Sequence, residues 1–162
     1  MDVDLAADAR EIQTLLTDSA NLYFQNRQVA PADHPPVQRV ELAFLLGTPQ
    51  PPVVSVDFDA RPDTEEDGDA SHRCFAQWHC PAWAKFLSPG DEVIRFTFAD
   101  GSVHEADSDS LDQTVGAFLA GVLRDASAGG TFNAIKGHGE LILTVTYEGF
   151  PVEMSPAATP LL

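Results

Sequence analysis

RVELAFLLGTPQPPVVSVDFD, residues 39–59, is the stretch whose reading decides the fold. Val40, Leu42, Phe44 and Leu46 alternate with Arg39, Glu41, Ala43 and Leu45. Beyond the loop Gly47-Thr48-Pro49-Gln50-Pro51-Pro52, Val54, Val56 and Phe58 alternate with Val53, Ser55, Asp57 and Asp59. A period of two places every second side chain on one face, the mark of a half-buried strand. Two such runs joined by a short Pro/Gly loop predict an antiparallel hairpin.

Upstream, the period changes. Leu5, Ala9, Ile12, Leu16 and Tyr23 recur at steps of three, four and seven, which predicts a helix from about Val3 to Leu22. Asp2 or Asp4 suits its start, where free N–H groups and the positive dipole end favour a carboxylate. Ala30-Pro31-Ala32-Asp33-His34-Pro35-Pro36 ends any helix and reads as an extended linker.

Downstream, Ala60 to Ser71 is the most polar segment and reads as a mobile acidic loop over about 60–71. Cys74-Phe75-Ala76-Gln77-Trp78-His79 reads as a strand, and Pro81 opens a short helix carrying Trp83, Phe86 and Leu87. Glu92 to Asp107 forms a second hairpin turning at Asp100-Gly101, with positive φ expected at both turn residues. Ser110 and Gln113 have capping-box spacing ahead of the apolar stripe Val115, Phe118, Leu119, Val122 and Leu123. Gly116 and Gly121 each weaken that helix by about 1 kcal/mol relative to Ala, which points to close packing against a neighbour. Ala128-Gly129-Gly130 stops it. Glu140 to Thr146 and Phe150 to Met154 supply a last pair of strands, the first apolar on both faces and so interior to a sheet, and residues 155–162 read as an irregular tail. The sum is one α+β domain over residues 1–162. Its mainly antiparallel sheet is packed by an N-terminal helix and a second amphipathic helix.

Charge narrows the function classes. Twenty-five Asp and Glu face nine Lys and Arg, a formal net charge of −16 over 162 residues. Such a surplus repels nucleic acid and anionic membrane and favours a basic protein partner. No apolar run approaches the roughly 20 residues needed to span a bilayer. The acidic start, Met1-Asp2-Val3-Asp4, is unlike a secretory signal, so a cytoplasmic protein is expected. Two cysteines cannot build a disulfide scaffold.

Catalytic and metal motifs are weak. His72, Cys74, His79 and Cys80 form the one dense group of metal-capable side chains, but H-x-C-x₄-H-C lacks paired ligand spacing, and His79 and Cys80 alternate in facing. Asp63, Glu65 and Asp67 before Gly68 imitate the first half of a calcium loop, yet its twelfth position is Cys74 in place of Glu. No G-x-S-x-G, P-loop or dinucleotide fingerprint occurs, and His104 and His138 have no nucleophile at readable spacing. Neither catalytic residue, metal nor cofactor is expected.

What remains is acidic. One set comprises Asp57, Asp59, Asp63, Glu65, Glu66, Asp67 and Asp69, the expected partner-binding residues; a second comprises Asp100, Glu105, Asp107, Asp109 and Asp112. If such groups converge on one face, they steer a basic partner and speed association by about 10 to 10³-fold. The profile resembles that of bacterial immunity proteins, which implies a non-enzymatic inhibitor neutralising a basic partner such as a toxin. The order of elements is also similar to type III secretion chaperones, which implies a homodimer holding an extended effector, though the expected final helix is missing. A phage or virion component, and a small metalloprotein using His72, Cys74, His79 and Cys80, are the remaining alternatives.

Overall fold

The computed structural model describes residues 2–23, 36–46, 52–59, 73–79, 93–107, 109–137, 139–148 and 150–152. In chain order the elements are β1 (Asp2–Asp4), α1 (Ala6–Leu22), β2 (Arg39–Leu45), β3 (Val53–Asp59), β4 (Arg73–His79), β5 (Ile94–Thr97), β6 (Val103–Ala106), α2 (Leu111–Ala128), β7 (Ile142–Tyr147) and β8 (Phe150–Pro151). The fold is α+β.

The hairpin expected from residues 39–59 is present, with Arg39 opposite Asp59 and Leu45 opposite Val53. It anchors a five-stranded sheet of order β4-β3-β2-β7-β8, in which β7 runs parallel to β2 and the other pairings are antiparallel. Between β3 and β4 the register slips: Val56 faces Ala76 while Asp57 faces Cys74, so Phe75 is the extra residue of a bulge. As expected, β7 is an interior strand.

A second, three-stranded sheet of order β1-β5-β6 combines a parallel β1–β5 pair with the antiparallel β5–β6 hairpin. Residues 2–4 therefore extend as a strand, and the helix expected from Val3 starts at Ala6. Asp4 keeps its capping role: its Oδ1 accepts the Ala6 N–H at 2.9 Å. The β5–β6 turn differs too. Phe98 N–H donates to the Ser102 carbonyl at 2.9 Å, Gly101 N–H to the Phe98 carbonyl at 2.9 Å, and Gly101 has φ +83°. Glu148 is the one non-glycine residue at positive φ among the described residues, so Asp100 does not share that conformation. The loop has three residues, with glycine in the left-handed position that a two-residue turn would have shared.

Both helices leave the small sheet, α1 directly after β1 and α2 after β6. They contact each other, with α1 against β4 and α2 against β7. One apolar cluster joins all these parts: Ile12 and Leu16 from α1, Leu42, Val56 and Phe58 from the large sheet, Phe96 from the small one, and Phe118, Leu119 and Val122 from α2. Tyr23 and Phe132 meet Phe58 edge-on, at ring-centroid distances of 5.8 and 6.2 Å.

The end of α2 is a Schellman turn: Thr131 N–H bonds the Ala126 carbonyl at 3.0 Å, Gly130 N–H the Ser127 carbonyl at 3.1 Å, and Gly130 sits at φ +85°. The close approach expected at its glycines is realised at Gly116, where an added Cβ would stand 2.7 Å from Val152 Cγ1. All of the 30–36 linker but Pro36, the helix expected from Pro81 and the 155–162 tail lie outside the described residues.

Candidate functional site

Two groups of carboxylates are placed by these sheets. The first lies on the face of the five-stranded sheet that Arg39, Glu41 and Ala43 share, opposite the core face of Val40, Leu42 and Phe44. Alternation carries Asp57 and Asp59 to that face on β3, and Thr144 and Thr146 on β7. Asp59, expected to meet a partner, is enclosed on that face. Its side chain is 5% exposed, and Arg39 Nη1, directly across the ladder, lies 4.0 Å away. A carboxylate so enclosed supports the sheet and has little surface for docking. Asp57 is half-buried and faces Glu41, whose Oε1 accepts the Thr146 hydroxyl at 2.6 Å. Asp63, Glu65, Glu66, Asp67 and Asp69 lie outside the described residues.

The second group surrounds the three-stranded sheet. Asp2, Arg95 and Glu105 form one row across β1, β5 and β6, with Arg95 Nε 3.4 Å from Glu105 Oε1 and both side chains mostly exposed. Asp100 and Asp107 flank β6 at its two ends, and Asp109 follows in the step to α2; all three are exposed. Some of these have local work. Asp100 Oδ1 accepts the Ser102 N–H at 2.8 Å, which tightens the turn. Asp107 Oδ1 accepts the N–H groups of Asp109 and Ser110 at 3.2 and 3.0 Å and the Ser110 hydroxyl at 2.8 Å. Hydrogen bonds from Ser102 and from Ser110 hold the Asp100 and Asp107 carboxyls below the usual carboxylate range. The expected capping box is thereby replaced: Ser110 makes no side-chain cap to α2, and its hydroxyl serves Asp107. Asp112 occupies the first turn of α2 and favours its dipole. Among the described residues the side-chain carboxylates of Asp2 and Asp109 make no hydrogen bond or ion pair, although the Asp109 N–H donates to Asp107.

Other chemistry is sparse. Cys74 and His79 stand five residues apart on β4, with the Phe75 bulge between them. His72 and Cys80 lie outside the described residues, among which no group of three or more His, Cys, Asp or Glu is placed to hold a metal ion. His104 is exposed on β6, and His138 lies outside the described residues. Two open depressions border α1 and share Arg10; Glu11, Thr14 and Trp78 line one of them, and Trp78 Nε1 donates to Glu11 Oε2 at 2.7 Å. No described helix is long and apolar enough to cross a membrane.

Asp2 is the acidic residue whose placement sequence reading missed. A three-residue strand is too short to show a period, and Asp-Val-Asp before a helical stripe reads as the first helical turn. No family model, curated protein or solved structure matches this chain.

Proposed function

We propose that the chain is a non-enzymatic, acidic protein-binding module of the cytoplasm that neutralises a basic partner, as an immunity or inhibitor protein does. The carrying observation is the gathering of exposed carboxylates at the three-stranded sheet: Asp2, Asp100, Glu105, Asp107 and Asp109 lie on or beside it, and Arg95 is the one Arg or Lys in its strands. A net charge of −16 gives this concentration a long-range field, which steers a cationic surface toward it. The run Asp63, Glu65, Glu66, Asp67 and Asp69, read from sequence alone, adds to the same field. Desolvated charge pairs at such an interface set register and suppress wrong partners more than they add affinity.

Capture from an extract of the native host at low ionic strength, followed by mass spectrometry, tests this reading. A basic protein is expected to be retained and then released by raised salt. A neutral or acidic protein held equally well at high salt contradicts it.

A further inference from the structure

We propose that the outer edge of β6 takes an extended basic segment of the partner as a fourth strand of the small sheet. This rests on the acidic-docking reading above and names where and how that contact forms.

The phase of the β5–β6 hairpin is set by Phe98 N–H donating to the Ser102 carbonyl. In an antiparallel ladder the inward-bonding residues alternate, so Ser102, His104 and Ala106 turn their backbone groups to β5, and Val103 and Glu105 turn theirs away. Among the described residues β6 pairs with β5 alone. The next outward N–H, that of Asp107, is taken by Ser110 Oγ at 3.1 Å, which ends the open row. Side chains along this row are uncovered: Val103 is 52% exposed and the Glu105 side chain 62%. Natural edge strands are blunted by lysine, proline or a bulge, and Val103-His104-Glu105-Ala106 contains none of these. Its brevity and the exposed charge of Glu105 are the remaining protection.

Charge chooses the occupant. Asp100, Glu105, Asp107 and Asp109 border the edge, so a second copy of this chain would bring carboxylate against carboxylate, with −16 on each molecule. A basic strand meets complementary charge. Cross-strand neighbours on the outer face dictate its pattern: a Lys or Arg beside Glu105 and an apolar β-branched residue beside Val103, two positions apart. Main-chain hydrogen bonds hold the segment, and this spacing selects it.

The test titrates the ¹⁵N-labelled protein to millimolar concentrations with two peptides of equal charge, KVTKTK and KVPKPK. Proline removes the N–H groups that a ladder needs. KVTKTK is expected to shift the amides of Val103 and Glu105 most and to bind at least about tenfold more tightly than KVPKPK. Glu105→Lys is expected to weaken KVTKTK by about tenfold or more, and Asp18→Lys, an exposed reversal on α1, by far less. Salt-dependent binding that is equal for the two peptides, or maps away from β6, overturns the edge-strand inference and leaves acidic docking standing. Absence of salt-dependent binding by either peptide removes both.

Discussion

Asp107 Oδ1 accepts both the Ser110 backbone N–H, at 3.0 Å, and the Ser110 hydroxyl, at 2.8 Å, while Ser110 Oγ accepts the Asp107 N–H at 3.1 Å. This reciprocal pair locks the exit of β6 to the start of α2. A carboxylate in the acidic group thus has a folding role that its neighbours Asp2 and Asp109 lack. Asp107→Ala is expected to lower Tm by a few degrees, Ser110→Ala by a similar amount, and Asp109→Ala not measurably. Thermal unfolding followed by circular dichroism checks the order; equal effects at 107 and 109 would remove the assignment.

The same contacts set a pH dependence. Ser102 and Ser110 hydrogen bonds depress the folded-state pKa of Asp100 and Asp107. A depressed carboxyl stabilises the fold fully above its unfolded value, near 4, and loses that contribution as pH falls through the lower folded value. Stability should therefore decline on acidification below about pH 4. Urea titrations over a pH series are expected to show a shallower decline for Asp107→Asn; parallel curves for variant and parent would contradict the assignment.

Gly116 faces Val152 so closely that a methyl group would sit 2.7 Å from Cγ1. Alanine gains about 1 kcal/mol of helix propensity there, but Val152 is stiff at χ1 and has no long side chain to swing away. Gly116→Ala should cost a net ~1 kcal/mol. Adding Val152→Ala should abolish that penalty, which denaturant unfolding of the four-member cycle measures. A stabilised single variant would mean that α2 and the Phe150–Val152 segment separate easily.

Asp57 and Asp59 are two residues apart and share a sheet face, yet their environments separate them. Asp59 is enclosed beside Arg39, while Asp57 is half-buried. Arg39→Met leaves the Asp59 carboxylate with one cation fewer and should cost about 2 kcal/mol. Asp59→Asn combined with Arg39→Met should recover part of it, read again by denaturant unfolding. If Arg39→Met is silent, the ion pair contributes nothing to the stability of the sheet.

Much of the architecture was legible because one buried face imposes a period. Val40, Leu42 and Phe44 against Val54, Val56 and Phe58 predict both strands and their antiparallel pairing. The parallel neighbour β7 was not legible: periodicity marks Ile142–Tyr147 as a strand but carries no information on which strand lies beside it. The split into two sheets escaped for the same reason, since β1 is only Asp2–Asp4 and pairs with β5 some ninety residues away in sequence. Asp100-Gly101 marked the turn, and only the backbone shows that Gly101 alone takes positive φ. At the candidate site, carboxylates could be counted along the chain but not sorted. Arg39 determines the fate of Asp59, and only the β2–β3 register brings the two together. Ser110 likewise looked like a cap until Asp107 claimed its hydroxyl.

Stopped-flow association of the captured partner, measured from about 20 to 500 mM NaCl, tests acidic docking most directly. For the parent protein the rate constant should fall steeply with salt. Asp2→Lys with Glu105→Lys, and separately Glu65→Lys with Glu66→Lys and Asp67→Lys, should slow association by about tenfold or more at low salt and flatten the slope. Rate constants indifferent to salt and to both sets of reversals would contradict the proposal that surplus carboxylate recruits the partner.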